Sequence, residues 1–178
     1  MRVITDVFVR HLKGGESIKK GISTMRKEEF LRKVSVLDVE NMKALGCAHI
    51  ANHMNMSDKD LMRRAGKSDI YGASTFTCSA EKIVEAVKMA LEDYADELVD
   101  WLNDGSDADD YVATFECDEV LGHGFYRTKW HVWDDGACDC HGIAVVLRKV
   151  EAKYETTFRF VTTYCEPTQD DIATTRNR

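Results

Sequence analysis

The sequence predicts an α+β domain in which short N-terminal helices and one long helix pack on an antiparallel sheet. Two observations carry that prediction. Helical periodicity is confined to the first hundred or so residues, and alternating or β-branched runs fill the remainder, an order typical of helices segregated from an antiparallel sheet. The chain has 178 residues, 44% of them hydrophobic, which suffices for a core without disulfide or metal staples.

Residues 1–24 mix the alternation Val3, Thr5, Val7, Val9 with a turn at Gly14-Gly15 and read as an arm or edge strand. Met25, Phe30, Leu31 and Val34 carry helical spacing over 25–34. A further helical turn spans 37–45 and stops at Gly46, and 48–54 again has helical character. Ser57 supplies an N-cap oxygen with Asp60 at the third helical position, so a short helix runs to Gly66. Residues 69–78 have turn and strand character. The long helix begins at Ser79, and its apolar residues Ile83, Val84, Val87, Ala90, Leu91, Tyr94, Leu98 and Leu102 share one stripe.

Strands follow at 111–117 and 119–127, then a loop or hairpin over 130–141. A central β-branched strand spans 143–147, and a Thr-, Phe- and Val-rich strand spans 154–165. The organisation expected is an extension over 1–40, a domain over 41–167 and a polar, frayed tail over 168–178.

The formal net charge is −7, unevenly spread. Residues 1–68 hold 14 Lys/Arg against 8 Asp/Glu, and residues 69–140 hold 4 against 18. The total argues against non-specific coating of nucleic acid, while the basic first third remains free to face an anion. No run of 18 apolar residues exists, so no membrane-spanning segment is expected. The first residues lack the pattern of a secretory signal. Six cysteines at irregular spacing read as reduced, buried thiols.

Three constellations carry candidate chemistry. In HIANHMNMSDKDLMRR, His49 and His53 share one face of a helix. A histidine titrating near neutrality can serve as general acid or base, and Arg64 can clamp a phosphate from the next helix. The alternative is a packed histidine beside solvated arginines. In FRFVTTY, residues two apart face one way, so Phe158, Phe160, Thr162 and Tyr164 are expected on one side, the phenylalanines in the core and Thr162 and Tyr164 at its edge. A strand end reaching solvent is the alternative. Cys138, Cys140 and His141 form a minor alternative metal site, because one residue between cysteines is fewer than zinc sites commonly use. Nucleotide, zinc-protease and serine-hydrolase motifs are missing from the sequence.

Taken in order, HMNMSDKDLMRR, ASTFTCSAEKIVEAV, Trp101, LGHGFYR, GIAVVLRKV and FVTTYCEP resemble one family: the bacterial ribonuclease A-like toxin domain at the C-termini of contact-dependent growth inhibition and related polymorphic toxins. The resemblance covers residues 48–167. It implies a ribonuclease A-like fold, with its antiparallel sheet curved and without disulfides, and a metal-independent, cofactor-free endoribonuclease that leaves 2′,3′-cyclic phosphate. His53, Arg64, Thr162 and Tyr164 match the catalytic positions, and His49 a less constant one. Arg63, Ser74 and Thr75 are the expected RNA-binding residues. It further implies an RNA substrate such as tRNA, a cognate immunity protein and a monomer. The expected place of action is the cytoplasm, after delivery as part of a larger protein. A different class stays open: a non-catalytic module on the same fold that docks a basic partner through its acidic face.

Overall fold

A computed structural model describes residues 24–47, 53–66, 72–104, 110–128, 131–132, 137–151 and 156–176. Six helices and seven strands lie among them, in the order expected. Helix α1 (Lys27–Ser35) buries Phe30 and Val34 and carries Glu28 and Glu29 in its first turn with Arg32 and Lys33 in its last, matching the helix dipole. Asp38 caps the four-residue α2 (Val39–Met42) by accepting from Asn41 N at 2.7 Å. A wide turn over Lys43–Cys47 follows, closed by Gly46 at φ 108°. An added Cβ at Gly46 would stand 2.5 Å from the carbonyl oxygen of Phe160. Only glycine permits both that φ and that approach.

Helix α3 (Asp58–Ala65) starts at Ser57 as expected, with the Ser57 side chain accepting from Asp60 N. The long helix is two. Helix α4 (Ala80–Asp93) ends at Tyr94, whose φ −98°, ψ 18° breaks the helix, and α5 (Ala95–Asn103) follows. The apolar stripe passes through this break without interruption, so periodicity alone shows one helix. Residues 25–42 are integral to the fold: Met25, Phe30, Val34, Leu37 and Met42 lie in the same core as α4 and α5. Most of the tail expected to fray is instead helical. Helix α6 (Gln169–Arg176) is fastened by a reciprocal cap, with Thr168 N donating to Asp171 and Asp171 N to the Thr168 hydroxyl.

The strands form two antiparallel sheets. In the first, β3 (Gly122–Thr128) pairs with β1 (Gly72–Phe76), β4 (His131–Val132) and β5 (Cys138–Cys140). In the second, β6 (Gly142–Glu151) is central between β2 (Tyr111–Glu116) and β7 (Thr156–Glu166). The main core joins the helices to one face of the second sheet through Ala113, Ile143, Val145, Leu147, Phe158, Phe160 and Cys165. A smaller cluster of Leu61, Ala65, Ala73 and Phe125 seats α3 on the first sheet. The expected helix over 48–54 falls almost wholly outside the described residues, as do residues 1–23.

Candidate active site

Residues 53–57 run beside β1 and are pinned to it. Met54 bridges Phe76, and Asn55 N donates to the Phe76 carbonyl at 3.0 Å. Asn55 has φ 52°, a left-handed conformation that asparagine tolerates. The Thr75 hydroxyl then does two jobs. It donates to the carbonyl of His53 at 3.1 Å and accepts from Met56 N at 2.9 Å. Thr75 is 1% exposed, so its hydroxyl is committed to protein groups. His53 itself is half-buried.

Arg64 lies on the last turn of α3, half-buried, with Nη1 3.2 Å from the Met56 sulfur. Met56, within the His53 segment, thus touches the Arg64 guanidinium. Arg63, one position earlier, turns outward: its side chain is 76% exposed and pairs with Asp60 at 2.9 Å. The N-terminal end of α3 is tied to β3 by Asp58 and His123 Nε2, 3.0 Å apart.

Strand β7 departs from simple alternation. The β6–β7 register shifts between Val146 and Leu147, Val146 facing Thr162 and Leu147 facing Phe160, so Val161 is the extra residue of a bulge. Burial changes phase there: Phe158 and Phe160 are buried before it, Thr163 and Cys165 after it. Thr162 and Tyr164 therefore lie on the face opposite the two phenylalanines, correcting the expectation that all four share one side. They pair across the sheet with Val146 and Ala144 and look away from the helix layer. Burial, and secondarily the charge of Glu166, pushes the Tyr164 phenol up. It stays protonated at neutral pH. A cleft of about 150 Å³ lined by Thr114, Glu116, Gly142, Glu166 and Thr168 lies at this end of the sheet.

Strand β1 joins the two halves. Ser74 donates to the carbonyl of Cys165 at 2.6 Å, and the Cys165 thiol donates to the carbonyl of Thr75 at 3.3 Å. One residue, Thr75, therefore holds His53 through its side chain and meets the neighbour of Tyr164 through its main chain. Ser74 and Thr75, expected as RNA contacts, are both buried with their hydroxyls committed to protein groups. Sequence reasoning missed their positioning role; a Ser-Thr pair in a strand carries no sign of which carbonyl it will meet. His49 lies outside the described residues.

The minor metal alternative does not assemble. The Cys138 and Cys140 thiols are buried, and His141 Nδ1 lies 2.5 Å from Asp171 Oδ1. Among the described residues no group of three or more ligating side chains is gathered.

Short helices at the start and a helical layer packed on antiparallel sheets define an α+β domain compatible with a ribonuclease A-like fold. The family model for the bacterial CdiA-CT RNAse A domain matches residues 48–165. The chain belongs to that family, and so to the ribonuclease toxins of contact-dependent growth inhibition. Among solved structures it is similar to a chain of the CdiA-CT/CdiI complex from Y. kristensenii 33638, with a TM-score of 0.52 and 15% identity over 67% of this chain and 98% of that one. Comparison with curated proteins gives no match. Among the described residues no helix is long and apolar enough to cross a membrane.

Proposed function

We infer that this chain is a metal-independent endoribonuclease that uses the 2′-hydroxyl of its substrate as nucleophile. His53 takes the 2′-hydroxyl proton as the oxygen attacks phosphorus. Tyr164 supplies a proton to the departing 5′-oxygen, or a hydrogen bond to the phosphorane. Arg64 neutralises the non-bridging oxygens, and Thr162 orients them. The P–O5′ bond breaks and a 2′,3′-cyclic phosphate remains. No metal or cofactor has a role, because base, acid and cation are all side chains. His49 is a candidate auxiliary group. Arg63 contacts RNA as a screened surface charge, and Ser74 and Thr75 position the site.

The observation that carries this reading is the Thr75 link between the His53 main chain and the end of β7 that bears Tyr164. The chain's acidity does not oppose it. Glu92, Asp93, Asp96, Glu97 and Asp100 are exposed on α4 and α5, and those helices pack on the sheet face opposite Thr162 and Tyr164. The substrate is RNA, with tRNA the first candidate. The domain acts as a monomer in the cytoplasm of a target cell, delivered as part of a larger protein. A cognate immunity protein covers the cleft or a surface beside it, as the CdiA-CT/CdiI pairing of the structural neighbour suggests.

The same acidic helix face favours a second reading, a non-catalytic module that docks a basic partner. Mixed tRNA and ribosomal RNA incubated in EDTA with wild type and with His53→Ala separates the two. The enzyme reading expects cleavage by wild type alone. Intact RNA from a folded wild-type sample supports the docking module.

A further inference from the structure

We propose that Cys140 and Cys165 are a disulfide-forming pair that, on oxidation by a small-molecule disulfide, ties the two sheets together beside the candidate site. The two residues belong to different sheets, β5 and β7, and both are fully buried. Their proximity follows from Gly122. Gly122 faces Cys140 in the β3–β5 register, and a Cβ built on it would lie 2.8 Å from the Cys165 sulfur. Facing side chains of an antiparallel pair lie on one side of the sheet, with β-carbons roughly 5 Å apart. The Thr75 carbonyl oxygen, 2.0 Å from that Cβ, and the Cys165 sulfur share the space a side chain at Gly122 would fill, on the side that Cys140 faces. Each thiol shifts the other's titration, Cys140 upward and Cys165 downward. Tyr126 closes the cluster, its hydroxyl 3.6 Å from the Cys140 sulfur and donating to the Cys165 carbonyl at 3.3 Å.

Cys165 differs electrostatically from the other thiols, Cys140 included, which are raised. The hydrogen bond from Cys140 lowers the Cys165 pKa despite burial, whereas burial pushes Cys47 up to about 11 and raises Cys78 and Cys117. Cys165 is thus the attacking thiolate. It displaces one thiolate from the external disulfide and forms a mixed disulfide. Cys140 gives up its proton and attacks the Cys165 sulfur, expelling the second thiol. Two protein thiols are oxidised, and one external disulfide is reduced to two thiols. Because both sulfurs are buried, exchange waits on a local opening of β5 from β7.

The test is to incubate the intact protein with oxidised glutathione, with and without low urea, quench in acid, block remaining thiols and map the peptides by mass. The expected product links Cys140 to Cys165, about 2 Da lighter than the reduced pair and formed faster in low urea. It closes a loop of about 25 residues, which raises Tm by roughly 5–10 °C until dithiothreitol restores the starting value. Cys140→Ala should show no such rise. Mapping on the wild type keeps the proposal testable if that variant folds poorly. A different pairing, a stable glutathione adduct alone, unreacted thiols in low urea or an unchanged Tm would overturn it.

Discussion

Thr75→Val tests whether the His53 segment is held as described. Valine matches threonine in volume, so the buried site keeps its packing, but the hydroxyl is lost. The His53 carbonyl loses its donor at 3.1 Å and Met56 N its acceptor at 2.9 Å. Each bond contributes about 0.5–1.5 kcal/mol net, and a buried group left unsatisfied costs about 1–3 kcal/mol. Together they amount to a loss of roughly 2–4 kcal/mol, against a domain stability on the order of 5–15 kcal/mol. Most molecules then remain folded. The histidine segment, no longer pinned, drifts from the position its chemistry needs, and displacement of about 1 Å can cost on the order of 100-fold in rate. Urea titration gives the stability change, and initial rates of RNA cleavage at matched folded concentration give the activity change. Cleavage should fall roughly 10- to 100-fold while Thr75→Ser stays near wild type. Wild-type stability and activity in Thr75→Val would refute the reasoning, as would an activity loss no larger than the unfolded fraction.

The site chemistry and the scaffold give further tests. Tyr164→Phe removes the proton donor while keeping the ring, and should lower kcat by about 100-fold with KM nearly unchanged. Arg64→Lys keeps the charge but not the planar fork, so kcat/KM should fall by about tenfold or more with little change in the urea midpoint. Gly46→Ala meets both the positive φ and the Phe160 carbonyl, and should cost about 1–3 kcal/mol in urea unfolding. Burial works to raise the Asp171 pKa, but hydrogen bonds from Thr168 N, His141 N and the His141 ring outweigh it and leave the carboxyl below its usual range. A carboxyl with a depressed folded pKa stabilises above its unfolded value, near about pH 4, and loses that contribution as pH falls through the folded value. Stability should therefore drop on acidification below about pH 4. Asp171→Asn should lack that part of the drop.

Much of the scaffold was legible because local chemistry decided it. The Ser57 cap, the stop at Gly46, the stripe from Ile83 to Leu102 and the central strand at 143–147 are all short-range signals. The break at Tyr94 was not, since the apolar stripe continues through it. The bulge at Val161 was hidden for a related reason. A period of two carries no mark of one inserted residue, yet that residue turns Thr162 and Tyr164 to the opposite face. The last helix was missed, because the tail's polarity reads as fraying, although Thr168-x-x-Asp171 is a capping pattern. Candidate site residues were readable as types and spacings along the chain. What holds them is not readable that way, because Thr75 and Cys165 are 90 residues apart and meet only in the folded protein.

The most direct measurement of the central claim pairs an RNA oligonucleotide with one that is identical except for 2′-deoxy substitution at the cleaved nucleotide, both in EDTA with the wild-type protein. Cleavage through the 2′-hydroxyl requires that the first be cut to a 2′,3′-cyclic phosphate end and the second remain whole at that position. Equal cutting of both, or a product ending in a linear phosphate from the first turnover, would contradict the mechanism and remove His53 and Tyr164 from the roles given to them.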